Sequence, residues 1–144
     1  MKKKKIYFVG IGGTGMASVA GLLQEAGYEI SGSDVGIYPP MSTMLEELKI
    51  PVFTPYNEEN LKRTKPDLAV IANALSRGNP ELEYVLAAGI PYTSFPAICG
   101  ETFIKSRIGV VVTGTHGKTT TTSILAHMLT ELGEDPSFVV GGIP

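Results

Sequence analysis

Two glycine-rich stretches carry the residues of this 144-residue chain best suited to chemistry. Residues 114–119, GTHGKT, set Lys118 between Gly117 and Thr119, after the apolar run IGVVVT and at the start of a helical pattern. Glycines there free main-chain N–H groups to form an anion nest. The Lys118 ammonium neutralises charge on terminal phosphates, and the Thr119 hydroxyl can ligate Mg2+. The longer form of this loop has a further glycine five residues before the one preceding the lysine; here that place is Val112. Gly114, Thr115, His116, Gly117, Lys118, Thr119 and Thr120 are therefore candidate triphosphate contacts, with Lys118 the candidate catalytic group. His116 either hydrogen-bonds a phosphate or caps the turn.

The second stretch, GIGGTGM, covers Gly10, Ile11, Gly12, Gly13, Thr14, Gly15 and Met16. Gly10, Gly12 and Gly15 match G-x-G-x-x-G, placed after a strand and opening a helix. Such a loop brings backbone amides and the positive end of a helix against a diphosphate. Asp34 follows 19 residues after Gly15, where an acid can accept from ribose hydroxyls. Gly13 adds an N–H with no side chain in the way, and Met16 reads first as core. The pattern points to a nucleotide diphosphate and does not name the nucleotide.

Positioning these loops requires alternating strands and helices. Apolar runs predict strands at 6–10, 28–34, 51–54, 66–74, 91–95, 108–114 and 137–142. Helical stripes lie at 15–26, closed by Gly27; at 42–49, with Ser42 as N-cap; at 79–89; and at 118–133. In the last, Ile124, Leu125, Met128, Leu129 and Leu132 define a core face and His127 points away from it. The sum is an α/β fold: a Rossmann-like parallel sheet flanked by helices, followed by the start of a P-loop domain. The polar stretch 99–107 reads as the boundary. Few residues follow the second loop, so its domain reads as incomplete.

Composition narrows the partners. A net charge of -2 leaves no basic footprint for nucleic acid or an anionic membrane, and Lys2 to Lys5 read as a solvated lead-in. No apolar run approaches the ~20 residues of a membrane span, and no secretion signal is visible. One cysteine, Cys99, excludes an internal disulfide, and a cytoplasmic home is expected.

GIGGTGMASVA with SGSD, then TGTHGKTTT, resembles the N-terminal part of a Mur ligase over essentially the whole chain. The resemblance implies an ATP-dependent amide ligase of peptidoglycan synthesis or recycling, using ATP and Mg2+. Residues 1–106 would bind UDP-N-acetylmuramate, and 107–144 would begin the ATP domain. Gly12 to Gly15 would hold the UDP diphosphate and Asp34 would contact its nucleoside. Asn73, Ala74 and Arg77 would line the sugar-nucleotide site, at a strand end where ligands of open sheets collect. Arg77 either pairs with an anionic group or faces solvent. GSDVGIYPPMST and IANALSRGNPELEYVL look most like the branch that couples a murein tripeptide. The branch that couples L-alanine carries serines where this chain has Asn73 and Ala74.

Two other classes compete. An NAD-binding oxidoreductase domain accounts for the first loop and Asp34 but leaves GTHGKTTTT unexplained. A non-catalytic nucleotide-binding module fits both loops, and these residues alone are expected to show no ligase turnover.

Overall fold

The computed structural model describes residues 3–140. Strand β1 (Lys5–Val9) has the two-residue repeat of an extended chain, with Ile6 and Phe8 on one face and Tyr7 and Val9 on the other. All four are buried, so β1 has a helical layer on each side. Around it lie β2 (Glu29–Ser33), β3 (Val52–Phe53), β4 (Leu68–Ile71) and β5 (Tyr92–Ser94). They form one parallel sheet in the order β3-β2-β1-β4-β5, with Val9 level with Ser33 on one side and Ile71 on the other.

Helices α1 (Thr14–Glu25) and α2 (Met41–Glu47) pack on one another, and α1 also meets α5 (Phe95–Cys99). Met16, Ala17, Val19, Ala20 and Leu23 of α1 join Ile6, Phe8 and Val70 in the larger core. Against the other face, α3 (Glu58–Thr64) and α4 (Pro80–Ala87) bring Leu61 and Val85 onto Tyr7, Val9 and Ala69. Gly27 takes φ +95° just after α1, the left-handed conformation that glycine adopts without a Cβ penalty.

Several expectations are corrected. Pro40, not Ser42, is the N-cap of α2, and Ser42 lies within the first turn. Helix α3 had no apolar stripe to announce it; only Leu61 of its residues is buried, and its start is fixed by the Asn57 side chain accepting from Glu59 N–H. The stretch 99–107, read as the boundary, is helical over much of its length, which leaves the boundary reading untouched: α5 runs into a π-helical turn at Gly100–Ile104. Cys99 and Phe103 pack there against the core, which overrides the polar composition. Residues 108–113 form no strand, and Ile108 is 95% exposed. An apolar run becomes a strand only beside a partner, and none lies there among the described residues. For the same reason the apolar face of α6 (Lys118–Glu131) is not core. Ile124, Met128 and Leu132 are exposed, and only Ala126 is buried. His127 is exposed as expected. Of the strand expected at 137–142, residues 137–140 are irregular, and 141 and 142 lie outside the described residues.

One polar cluster ties the layers together. The Glu81 side chain, in the first turn of α4, is wholly buried. Its Oε1 accepts from Tyr7 Oη at 3.0 Å, Asn57 N–H at 3.1 Å and Asn60 Nδ2 at 2.8 Å. Its Oε2 accepts from the Ser33 hydroxyl. The carboxylate thus joins β1, β2, α3 and α4. Burial also holds the Tyr7 phenol above its ordinary range, which keeps it a neutral donor. Replacing Tyr7 by Phe should therefore cost about 1.5–3 kcal/mol, the value of a hydrogen bond to a charged acceptor. A lower urea midpoint with an unchanged slope is the expected result.

Candidate functional site

The first glycine loop joins β1 to α1 at the sheet's topological switch: from β1 the chain turns first to β2 and later returns on the opposite side to β4. A crevice opens at such a point beyond the strand ends. Within the loop the first three amides are already committed. Gly10 and Ile11 donate to the Ser33 carbonyl at 2.9 and 3.0 Å, and Gly12 donates to Asp34 Oδ2 at 2.8 Å. Ile11 and Met16 are buried, so their side chains serve the core. Gly13 is the N-cap of α1 and supplies no side-chain cap. Among the described residues the N–H groups of Gly13, Thr14 and Gly15 meet no acceptor. A helix start with bare amides and positive dipole potential is an anion site.

Gly12 and Gly13 are glycine for different reasons. A Cβ on Gly12 would lie 2.8 Å from Asp34 Oδ2, so the loop's own closure forbids it. On Gly13 a Cβ would meet nothing closer than Met16 at 3.7 Å, and its φ of -66° suits any residue. Nothing among the described residues demands glycine at 13.

Asp34 is placed beside the loop but already holds backbone. Besides Gly12, it accepts from Val35 N–H at 2.7 Å through Oδ1. The loop after β4 carries Asn73, Ala74 and Arg77, all exposed, and its Ala72 N–H donates to the Val9 carbonyl at 3.0 Å. The structure therefore brings this loop next to the first glycine loop. A Cβ on Gly10 would lie 2.7 Å from Ala72 Cβ and 3.7 Å from Leu75 Cδ1 of that loop.

At the second loop, Gly117 is a left-handed N-cap of α6 (φ +76°) without a side-chain cap. By contrast α4 is capped by Asn79, which accepts from Glu81 and Leu82 N–H. The Lys118 ammonium donates to the carbonyls of Gly114 at 2.7 Å and Thr115 at 3.2 Å, closing the loop on itself. Thr115, His116 and Thr120 are exposed, and Thr119 is half-buried in the first turn of α6. Among the described residues no three His, Cys, Asp or Glu side chains cluster to hold a metal.

Two residues escaped sequence reasoning. Glu81 is wholly buried, and its burial has no local signal in the sequence. Tyr56 lies near the first loop, its hydroxyl 3.7 Å from where a Gly10 Cβ would stand.

The chain belongs to the Mur ligase family: residues 5–107 match the Mur ligase catalytic domain and 112–143 the Mur ligase middle domain. It is 43% identical over 140 residues to the UDP-N-acetylmuramate–L-alanyl-gamma-D-glutamyl-meso-2,6-diaminoheptandioate ligase of Escherichia coli (strain K12). That match covers 97% of this chain and 30% of the relative. Identity is 40% over 139 residues to the UDP-N-acetylmuramate–L-alanine ligase of Psychrobacter sp. (strain PRwf-1), covering 96% of this chain and 28% of that protein. The crystal structure of the UDP-N-acetylmuramate:L-alanyl-gamma-D-glutamyl-meso-diaminopimelate ligase from Neisseria meningitides superposes with a TM-score of 0.95 at 43% identity. It covers 99% of this chain and 44% of that one. The chain thus spans about a third of its curated relatives' length. The Rossmann-like parallel sheet flanked by helices is the family's N-terminal architecture.

Burial, and then the charge of Asp34, pushes the Tyr56 phenol up to about 12. Its proton is held more tightly in the folded chain than in the unfolded one, where the pKa is near 10. This contribution to stability is complete below about pH 10 and is lost as pH rises through about 12. Phenolate absorbance should show Tyr56 ionising late, and Tyr56→Phe should remove that component from the titration.

Proposed function

We propose that this chain carries the nucleotide-sugar site and the ATP loop of a ligase that joins an L-alanyl peptide, a murein tripeptide, to UDP-N-acetylmuramate. Residues 1–106 are the sugar-nucleotide domain and 107–144 the beginning of the ATP domain. The observation that carries the reading is the start of α1: bare amides at the switch point of the sheet, with a glycine at 13 that the fold itself does not need. UDP would lay its diphosphate on Gly13, Thr14 and Gly15. Asp34, Asn73, Ala74 and Arg77 would face the nucleoside and sugar. The tripeptide branch is favoured over L-alanine by Asn73 and Ala74, where the L-alanine branch carries serines.

The chemistry follows from the electrophile. A carboxylate is unreactive toward amines at neutral pH until one oxygen becomes a leaving group. ATP held at Lys118 and Thr119 would supply the phosphoryl group that turns a muramic acid carboxylate oxygen into a leaving group, with ADP released, and the peptide's free amine would then displace phosphate. In this chain Lys118 would leave the Gly114 and Thr115 carbonyls and turn to the terminal phosphates. Magnesium fits only as an ion carried largely by the nucleotide's phosphates, with the Thr119 hydroxyl as one ligand, and would neutralise their charge. The incoming amine and the acid that completes the metal's shell lie outside the described residues. The biosynthetic role and the absence of a long apolar helix among those residues support a cytoplasmic setting.

Calorimetry on this chain tests the reading. UDP-N-acetylmuramate should bind and NAD should not; tight NAD binding without the sugar nucleotide would overturn it. Gly13→Ala should leave the unfolding midpoint unchanged yet weaken the sugar nucleotide about tenfold or more, a loss of ~1.4 kcal/mol. Lys118→Met should leave that affinity intact and weaken ATP by roughly 10–100-fold, as expected for one charge-assisted contact.

A further inference from the structure

We propose that Glu81 is a positioning residue for the first glycine loop, acting through Ser33 without touching the ligand. The effect on ligand affinity rests on the function proposed above; the geometric claim does not.

A wholly buried carboxylate is costly to desolvate and is tolerated only when its lone pairs are filled. Here three donors converge on Oε1 and one on Oε2, and the last is the only one that leads to the loop. Ser33, also fully buried, gives its hydroxyl to Glu81 and its carbonyl to the amides of Gly10 and Ile11. The next residue, Asp34, takes the amide of Gly12. Three consecutive loop amides are therefore held by two consecutive residues at the end of β2, and the first of those two is clamped from α4. Committing these amides inward is what turns Gly13, Thr14 and Gly15 outward. If Ser33 shifts along the strand axis, the loop shifts with it.

The test compares Ser33→Ala, Glu81→Gln, Glu81→Ala and Leu61→Ala in this chain. Leu61 is buried in the same α3–α4 layer and takes no part in the hydrogen bonds of Ser33 or Asp34, so it controls for loss of stability. Amide hydrogen exchange is read residue by residue, together with the Kd for UDP-N-acetylmuramate. Ser33→Ala should speed exchange at Gly10, Ile11 and Gly12 about tenfold, with α3 and α4 unchanged, and raise Kd by a similar factor. Glu81→Gln should stay within about threefold of wild type, because its amide can still accept through oxygen and donate to a rotated Ser33 hydroxyl. Glu81→Ala should exceed Ser33→Ala on both readouts; should it not fold, Ser33→Ala and Glu81→Gln decide. Loop exchange and Kd unchanged in Ser33→Ala, or equal losses in Leu61→Ala, would overturn the proposal. A wild-type chain that binds no sugar nucleotide refutes the proposed function instead, and the exchange comparison then still decides the role of Glu81.

Discussion

A single carboxylate buried between two layers organises this chain. Glu81 accepts from β1, β2, α3 and the turn before it, and of those donors Asn60 Nδ2 has a second acceptor in the Pro55 carbonyl. The free energy of a buried charge depends steeply on its partners: fully paired it is tolerated, and with one donor gone it is penalised at low dielectric. The arrangement therefore admits one register of α4 over the sheet. That register places Ser33 and Asp34 beneath the first glycine loop, and from them the direction of its free amides follows.

The two glycine-opened helices share a device but not a setting. Both α1 and α6 begin on glycine without a side-chain cap, so both offer bare amides and helix-dipole potential to an anion. Helix α1 is braced by the sheet behind it, and its loop is held by Ser33 and Asp34. Among the described residues nothing comparable stands behind α6. The apolar run before it is exposed, and Lys118 satisfies itself on the carbonyls of its own loop. One site is shaped by tertiary contacts, whereas the other is shaped by local backbone alone.

Local chemistry was enough to find both loops, because a turn that needs glycine, a helix start and an acid at the next strand end are all near neighbours along the chain. It was also enough for β1, β2, β4, α1 and α4, whose apolar periods are clear. It failed where a pattern needed a partner. Among the described residues Val110 and Val111 have a strand composition but no neighbouring strand, and the stripe through Ile124, Met128 and Leu132 has no surface to cover it. Conversely, the polar stretch through Cys99 and Phe103 is helical because it packs on the core. Helix α3 was invisible because seven mostly charged residues need only one apolar contact, at Leu61.

By itself the sequence determined the loop chemistry, the α/β alternation and the family, since these rest on residue type at short spacing. Only the tertiary structure decided which amides are free and which are spent. It also decided that Asp34 first serves its own backbone, and that the acid at position 81 lies in the core. Those outcomes depend on donors and acceptors 20 to 80 residues apart meeting within ~3 Å, and residue spacing along the chain carries no record of such meetings.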